Sequence, residues 1–96
     1  MIVRERETEE GLLVSVCDPD VLGETFEDGE VSLTVDPEFY DGEEVDEDAV
    51  VDSLARATVA NIVGTRSVRL AIDHGIVDEE NVLEIDSTLH AQLLRM

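Results

Sequence analysis

The stretch that decides the fold covers residues 46–76 and reads DEDAVVDSLARATVANIVGTRSVRLAIDHGI. Its first part repeats apolar or small residues at spacings of three and four, at Val51, Leu54, Ala55, Thr58 and Ile62. That spacing is typical of one buried face of a helix. Asp46 is a suitable N-cap residue, and Gly64 stands where the chain must leave the helix. We therefore predict a helix that begins after Asp46 and ends at Gly64.

A second, shorter helix is predicted directly after Gly64. Thr65 can cap it, and its apolar side is formed by Val68, Leu70, Ala71 and Ile72. His74 lies in its last turn, and Gly75 followed by Ile76 resembles a glycine C-cap with its hydrophobic contact. Only a tight turn separates the two helices, so the pattern predicts a helical pair.

Strand patterns lie on both sides of this pair. Residues 2–3 and 12–17 predict a hairpin with its turn at residues 8–11, and residues 31–35 predict a third strand after a surface connection at 21–30. Residues 82–85 and 89–93 predict a second hairpin with its turn at 86–88. The expected fold is α+β, with an antiparallel sheet of about five strands packed against a two-helix unit in the order β-β-β-α-α-β-β. We expect residues 1–96 to form a single compact domain.

The charge balance indicates where such a chain works. Its 96 residues hold 25 acids against 6 basic residues, all arginine, which gives a formal net charge of −19. Like charges repel across a compact surface in dilute buffer, but the Debye length falls to about 3 Å in molar salt. The composition is therefore typical of a protein from a halophile that accumulates salt. No apolar run is long enough to cross a bilayer, and we predict a cytoplasmic protein.

Catalytic constellations are scarce in this sequence. Only Cys17, His74 and His90 could form a nucleophile and base pair, and no flanking motif marks a nucleophile elbow, a phosphate loop or a metal helix. We interpret Cys17 as a core residue and His74 as a partner of a helix dipole. His90 lies beside Gln92 on the polar side of the last strand. The acidic clusters lack an organised metal loop, so no cofactor is predicted.

One run of sequence departs from the acidic background. Residues 53–72 contain no acid, and they include Arg56, Arg66 and Arg69. Burial of one face of each helix can exclude acids, but it leaves the outward arginines unexplained. A partner or nucleic-acid surface is the alternative, and the N–H groups at the start of the second helix would suit an anion.

Four short runs resemble a known family: CDPDVLGETF at 17–26, FYDG at 39–42, ATVANIVG at 57–64 and HAQ at 90–92. In order and spacing they resemble the archaeal family called domain of unknown function 424, over almost the whole chain. That family has no established activity, so the resemblance assigns no role to any residue. It implies an archaeal cytoplasm, and together with the composition it implies a haloarchaeal member. Ser87, Thr88 and Leu89 depart from the Gly- and Pro-bearing turn expected before the last run.

The leading hypothesis is a non-enzymatic accessory or binding module that docks on an RNA or ribonucleoprotein partner. The chain is too small to enclose a substrate easily and shows no catalytic grouping. The candidate binding residues are Asn61, Gly64, Arg66, Arg69, His90 and Gln92. Two alternatives stay open. One is a small enzyme or metal-dependent protein that uses His90 with Cys17 or nearby carboxylates, and the other is a homodimer joined through an open sheet edge.

Overall fold

A computed structural model of the chain describes residues 1–95, so Met96, the last residue of the expected domain, lies outside the described part. Its strands are β1 (Ile2–Thr8), β2 (Gly11–Cys17), β3 (Thr25–Asp28), β4 (Val31–Thr34), β5 (Glu43–Glu44), β6 (Val59–Val63), β7 (Leu83–Ile85) and β8 (Thr88–Leu94). Its α-helices are α1 (Pro37–Tyr40), α2 (Glu47–Arg56) and α3 (Thr65–Asp73). Short 3-10 turns cover Pro19–Val21 and Glu79–Asn81.

Six of the strands form one sheet in the order β5-β1-β2-β6-β8-β7, while β3 and β4 form a separate hairpin. The β2–β6 pair is parallel, and the other neighbours in the large sheet are antiparallel. The predicted α+β class is confirmed. The prediction of a purely antiparallel sheet of about five strands is wrong, because the central pair is parallel and the sheet is larger.

Both predicted hairpins are present. β1 and β2 pair from Thr8 opposite Gly11 to Ile2 opposite Cys17. β7 and β8 pair from Ile85 opposite Thr88, and Asp86 in their turn has a φ of 54°. The second predicted helix is also present as α3. It ends in a glycine motif, in which the N–H of Gly75 donates to Ile72 O and the N–H of Ile76 donates to Ala71 O.

The first predicted helix is wrong in its second half. Helix α2 begins after the Asp46 N-cap but ends at Arg56, and residues 59–63 form β6. Three of the five residues in β6 are Val or Ile, whose branched side chains favour strands. β6 lies between β2 and β8 with both faces covered in part, and such strands lack the alternation that distinguishes a strand from a helix in sequence.

The small β3–β4 hairpin was also not predicted. Residues 25–28 were expected within a surface connection, and the strand expected at 31–35 was assigned to the main sheet. Phe26 and Val35 are nevertheless buried, because the hairpin and α1 pack over one end of the large sheet. The short elements α1 and β5 have no strong pattern in the sequence.

The large sheet is covered differently on its two faces. Helices α2 and α3 cover one face, where the core contains Val14, Val16, Val50, Leu54, Ile62, Val68 and Ala91. On the other face the hairpin and α1 cover one end, over Ile2, Cys17, Val63 and Ile85. The rest of that second face is named the open face here. Its side chains are Arg4, Arg6, Leu13, Ser15, Val59, Asn61, His90, Gln92 and Leu94.

Candidate functional site

A row of four polar side chains crosses the open face. Arg4 lies opposite Ser15, Ser15 opposite Asn61, and Asn61 opposite Gln92, so the row runs through β1, β2, β6 and β8. Neighbouring strands are about 4.8 Å apart, which makes the row about 14 Å long. Ser15 is buried, Arg4 and Asn61 are half-buried, and Gln92 is exposed. From Ser15 at the centre of the sheet to Gln92 on β8, the side chains of the row therefore become more exposed to solvent.

The two amides of this row are joined to each other. Gln92 Nε2 donates a hydrogen bond to Asn61 Oδ1 at 2.9 Å. A side-chain amide has two donor hydrogens and one acceptor oxygen, so this bond leaves the Gln92 oxygen and the Asn61 NH₂ group available. The pair thus presents an acceptor and donors side by side, in an orientation fixed by their mutual bond.

His90 lies next to this row, opposite Val63 on β6. Its side chain is half-buried, and burial lowers the pKa of its imidazole below the usual 6.5. A lowered pKa keeps the ring neutral at neutral pH, with one nitrogen as donor and the other as acceptor. His90 therefore adds one hydrogen-bond donor and one acceptor to the site without adding charge.

The strands of the open face carry arginine and no acid. On the sides of β1, β2, β6, β7 and β8 that face this way, none of the residues is Asp or Glu, and acids begin only at the sheet edge, where Glu44 of β5 lies opposite Ile2. Arg4 Nη1 donates to the carbonyl oxygen of Asp41 at 3.5 Å. The guanidinium of Arg6 lies 5.8 Å from the centre of the Phe39 ring. Within residues 1–95 neither arginine has a carboxylate in ion-pair distance.

The structure divides the residues that were singled out in the sequence. Asn61, His90 and Gln92 come together on β6 and β8, as expected if the two runs of the resemblance converge. Arg66 and Arg69 lie on α3, which packs against the opposite face of the sheet. The six candidate residues therefore do not form one site.

The predicted acid-free helical surface does not form either. Residues 59–64 of the acid-free run, six of its twenty, are the strand β6 and the turn into α3, where burial excludes charge. Arg56 is paired with Glu5 and Asp52, at 2.6 Å and 3.1 Å. Arg69 lines a groove with acidic neighbours, namely Asp73, Glu79 and Glu84. Arg56 and Arg69 therefore lie among acids, which argues against a basic patch on the helices.

The N-terminus of α3 is occupied by a side chain of the protein itself. Asp18 is buried, and its Oδ1 accepts hydrogen bonds from Ser67 N at 2.8 Å and from Ser67 Oγ at 2.6 Å. Its Oδ2 accepts one from Arg66 N at 3.0 Å. Gly64, the N-cap residue, has a φ of 117°, and a Cβ there would collide with the Asp18 side chain. The negative group at this helix end is thus the carboxylate of Asp18 and not that of a bound partner. Gly64 is needed because its missing side chain leaves room for Asp18.

Asp18 is the residue that the sequence interpretation missed. The available signal was an acid placed directly after a strand and before Pro19, a position that offers a carboxylate to a nearby helix. The contact joins residues 48 and 49 positions apart, so nothing local in the sequence shows it.

The alternative pairing of Cys17 with His90 is not supported by the geometry. Both lie in one cross-strand row, but Val63 on β6 stands between them, which makes their strands about 10 Å apart. Cys17 is fully buried, and burial raises the pKa of its thiol to about 11. Among residues 1–95, no three His, Cys, Asp or Glu side chains come together as a metal-ligand group.

Residues 5–96 match the family model described as "Protein of unknown function (DUF424)". The chain belongs to this family. No curated protein matches it. It is similar to the crystal structure of an uncharacterized conserved protein from Methanopyrus kandleri, with a TM-score of 0.79 and 20% identity over 99% of this chain and 93% of that chain. At this identity the likeness shows the fold.

The runs that carry the DUF424 resemblance meet in pairs in this structure. Asp18 from the first run packs on Gly64 from the third, at the start of α3. Gln92 from the last run bonds Asn61 from the third, on the open face. The first contact holds the fold together, and the second is exposed to solvent. None of the helices within residues 1–95 has the length and apolar character to cross a membrane.

Proposed function

We propose that this DUF424 protein is a non-enzymatic binding module of a haloarchaeal cytoplasm, and that its open face contacts the RNA of a ribonucleoprotein partner. The single observation that carries the proposal is the charge of that face. In a chain with 25 acids, its strands place none there, while Arg4 and Arg6 both lie on it. A surface kept free of acids on so acidic a body is suited to an anionic partner.

The side chains of the open face match the groups that RNA presents. Guanidinium groups bind phosphate oxygens through paired hydrogen bonds, and Arg4 and Arg6 are two residues apart on one strand face. The free acceptor and donors of the Gln92–Asn61 pair suit the edges of unpaired bases. Arg6 and Phe39 together provide a flat surface at the rim on which a base can stack.

The overall charge of −19 does not prevent this contact in concentrated salt. Repulsion between the acidic body and RNA is screened beyond about 3 Å in molar KCl. The same screening removes most of the gain from counterion release. Binding must then rest on directed hydrogen bonds and stacking, so we expect it to persist at molar KCl and to vary little with salt there.

Ultraviolet cross-linking tests the proposal directly. The purified chain is irradiated in molar KCl with RNA extracted from ribosomes of a halophilic archaeon, and the covalently attached RNA is quantified. Arg4→Gln with Arg6→Gln should reduce the yield about tenfold or more, since the loss of two charge-assisted contacts costs at least about 1.4 kcal/mol. The matched control is Arg66→Gln with Arg69→Gln, which removes the same charge from α3 and should leave the yield unchanged.

Two results would refute the proposed function. One is an equal loss in both double variants, because a general charge effect does not depend on the face. The other is the absence of cross-linked RNA with the unsubstituted chain. Melting temperatures of both double variants are measured in the same buffer, so that a loss of binding is separated from a loss of folding.

A further inference from the structure

The strand β8 has an edge with free backbone groups. β7 pairs only with Thr88–His90, so residues 91–94 have no strand beside them on that side; we name residues 91–94 the β8 edge. The bonds Gly64 N to Leu89 O and Arg95 N to Thr58 O fix which residues face β6. Because this direction alternates along an antiparallel strand, Gln92 and Leu94 turn their N–H and C=O groups outward. No backbone partner contacts these groups within residues 1–95.

The opposite edge of the sheet is protected, whereas the β8 edge is not. Where β1 extends past its short partner β5, it carries the charged residues Glu5 and Glu7. Helix α2 also packs there, since Ser53 and Arg56 both donate hydrogen bonds to the Glu5 side chain. Charged side chains and covering elements are the usual protection of an edge strand. β8 carries no charged residue, and Leu94 at its end is 66% exposed. The β8 edge is therefore built to accept a strand.

A groove runs along this edge. It consists of two cavities of about 420 and 220 Å³ that share Asn81, Ala91 and Gln92 in their linings. One wall is β8 with Leu83, which is 46% exposed. The other wall is the segment that follows α3, with Ile76, Val77 and Asp78. Asp78 lines the groove, and Glu79 and Glu80 follow it as exposed acids on the same segment. The groove thus has one uncharged wall with free hydrogen-bonding groups, and its other wall contains one acid, with two more directly after it in the chain.

We propose that this groove binds an extended segment of a partner protein, which adds to the sheet beside β8 and carries basic side chains alternating with small or apolar ones. The outward groups of Gln92 and Leu94 supply two donors and two acceptors for the added strand. Alternate side chains of the segment point to opposite faces, so one set packs on Leu83 and Leu94. Its basic residues pair with the acids at 78–80.

The charges beside the groove decide between this occupant and a second copy of the chain. In molar KCl charges are screened beyond about 3 Å, so net charge does not separate the two occupants and only charges in contact do. A second copy would place its own acids at 78–80 next to the acids of the same groove, whereas a basic segment places charges of the opposite sign there. The site uses the main chain at Gln92 and Leu94, whereas the proposed RNA contact uses side chains of the open face, so the two proposals can fail separately.

The probe is an acetylated and amidated peptide of sequence VKVTVRV, and the control is the same peptide with methyl groups on alternate backbone nitrogens. Methylation removes the hydrogen bonds to β8 and keeps charge and composition. We expect the unmodified peptide to shift the amide resonances of Gln92 and Leu94 with a Kd below about 1 mM, and the methylated peptide to bind at least about tenfold more weakly, since several strand bonds are lost.

Variants of the chain test the same contact from the other side. Leu94→Pro removes one outward N–H at an edge position that tolerates proline, whereas Leu94→Val keeps the N–H and an apolar side chain. Peptide binding should be about tenfold weaker with proline than with valine. Replacing Asp78, Glu79 and Glu80 by their amides should also weaken it. Equal binding of the two peptides, no shift at Gln92 and Leu94, or a concentration-dependent dimer of the chain alone would overturn the proposal.

Discussion

Replacing Asp18 by Ala tests how the start of α3 is held. The substitution removes a buried carboxylate that accepts three hydrogen bonds, from Arg66 N, Ser67 N and Ser67 Oγ, at 2.6 to 3.0 Å. The two main-chain N–H groups then lose their cap, and the Ser67 hydroxyl, which is fully buried, loses its acceptor. Water has little access to replace them, because Asp18 itself is only 4% exposed.

The magnitude follows from these contacts. Loss of a helix N-cap costs about 1–2 kcal/mol, and a buried hydroxyl without a partner costs about 1–3 kcal/mol. We therefore expect the free energy of unfolding to fall by about 3 kcal/mol. In a domain of this size 1 kcal/mol corresponds to about 4–8 °C, so the melting temperature should fall by about 12–24 °C. Asp18→Asn keeps one acceptor oxygen and should cost less than half as much.

Thermal unfolding followed by circular dichroism in molar KCl measures this effect, with two controls. Asp46→Ala removes the exposed N-cap of α2, which makes one side-chain bond, to Ala49 N at 2.9 Å, and should cost about 1 kcal/mol. Asp20→Ala removes an exposed acid nearby and should change the free energy by less than about 0.5 kcal/mol. Equal melting temperatures for Asp18→Ala and Asp20→Ala would refute the capping role of Asp18.

Three further predictions follow from charge and burial. Thermal stability should rise as KCl increases from millimolar to molar, because screening removes repulsion at a net charge of −19; a flat or falling melting temperature would contradict the proposed halophilic origin, and a full gain with micromolar magnesium would indicate an organised metal site instead. Cys17, whose pKa burial raises to about 11, should react with alkylating reagents far more slowly than a free thiol, and Cys17→Ala should leave RNA cross-linking unchanged. The pKa of His90 is lowered by burial, so the unfolded chain binds its proton first as the pH falls through about 6.5, and stability is lost there. His90→Asn should flatten the melting temperature between about pH 5 and 7, and an unchanged pH profile would show that His90 is not responsible.

Local signals in the sequence were sufficient for the hairpins and for α3. The alternation of apolar and polar residues and a short turn define β7 and β8, and the glycine at position 75 marks the end of α3. Each of these features is set by residues close together in the chain, and at the end of α3 the N–H groups of Gly75 and Ile76 form backbone bonds of 2.9 Å. The α+β class follows from the same local elements.

Long-range contacts account for what the sequence did not reveal. The apolar spacing of residues 51–62 fits a helix. The second half of this segment is nevertheless more stable as a central strand, because it pairs with β2 on one side and with β8 on the other. Arg95, far along the chain, ends α2 by donating to the carbonyl oxygens of Leu54 and Ala57 at 2.8 and 3.0 Å. No pattern within residues 46–64 contains these partners.

The candidate site was predictable only in part, for the same reason. Asn61 and Gln92 were singled out because hydrophobic patterning does not require them, and the register of β6 and β8 brings them together. Arg4 and Arg6 were overlooked because most of their neighbours in sequence are acidic or polar, so the segment 3–10 shows no basic cluster. In the strand β1, alternate side chains point to opposite faces of the sheet. The two arginines therefore share one face, and Glu5 and Glu7 lie on the other.

The most direct test of the central claim is the position at which RNA attaches to the unsubstituted chain. After cross-linking in molar KCl, the protein is digested and the modified residues are located by mass spectrometry. Contact through the open face predicts nucleotide adducts on β1, β6 and β8, at or next to Arg6, Asn61 and Gln92. Adducts confined to α3, or RNA bound with no adduct on the open face, would contradict it.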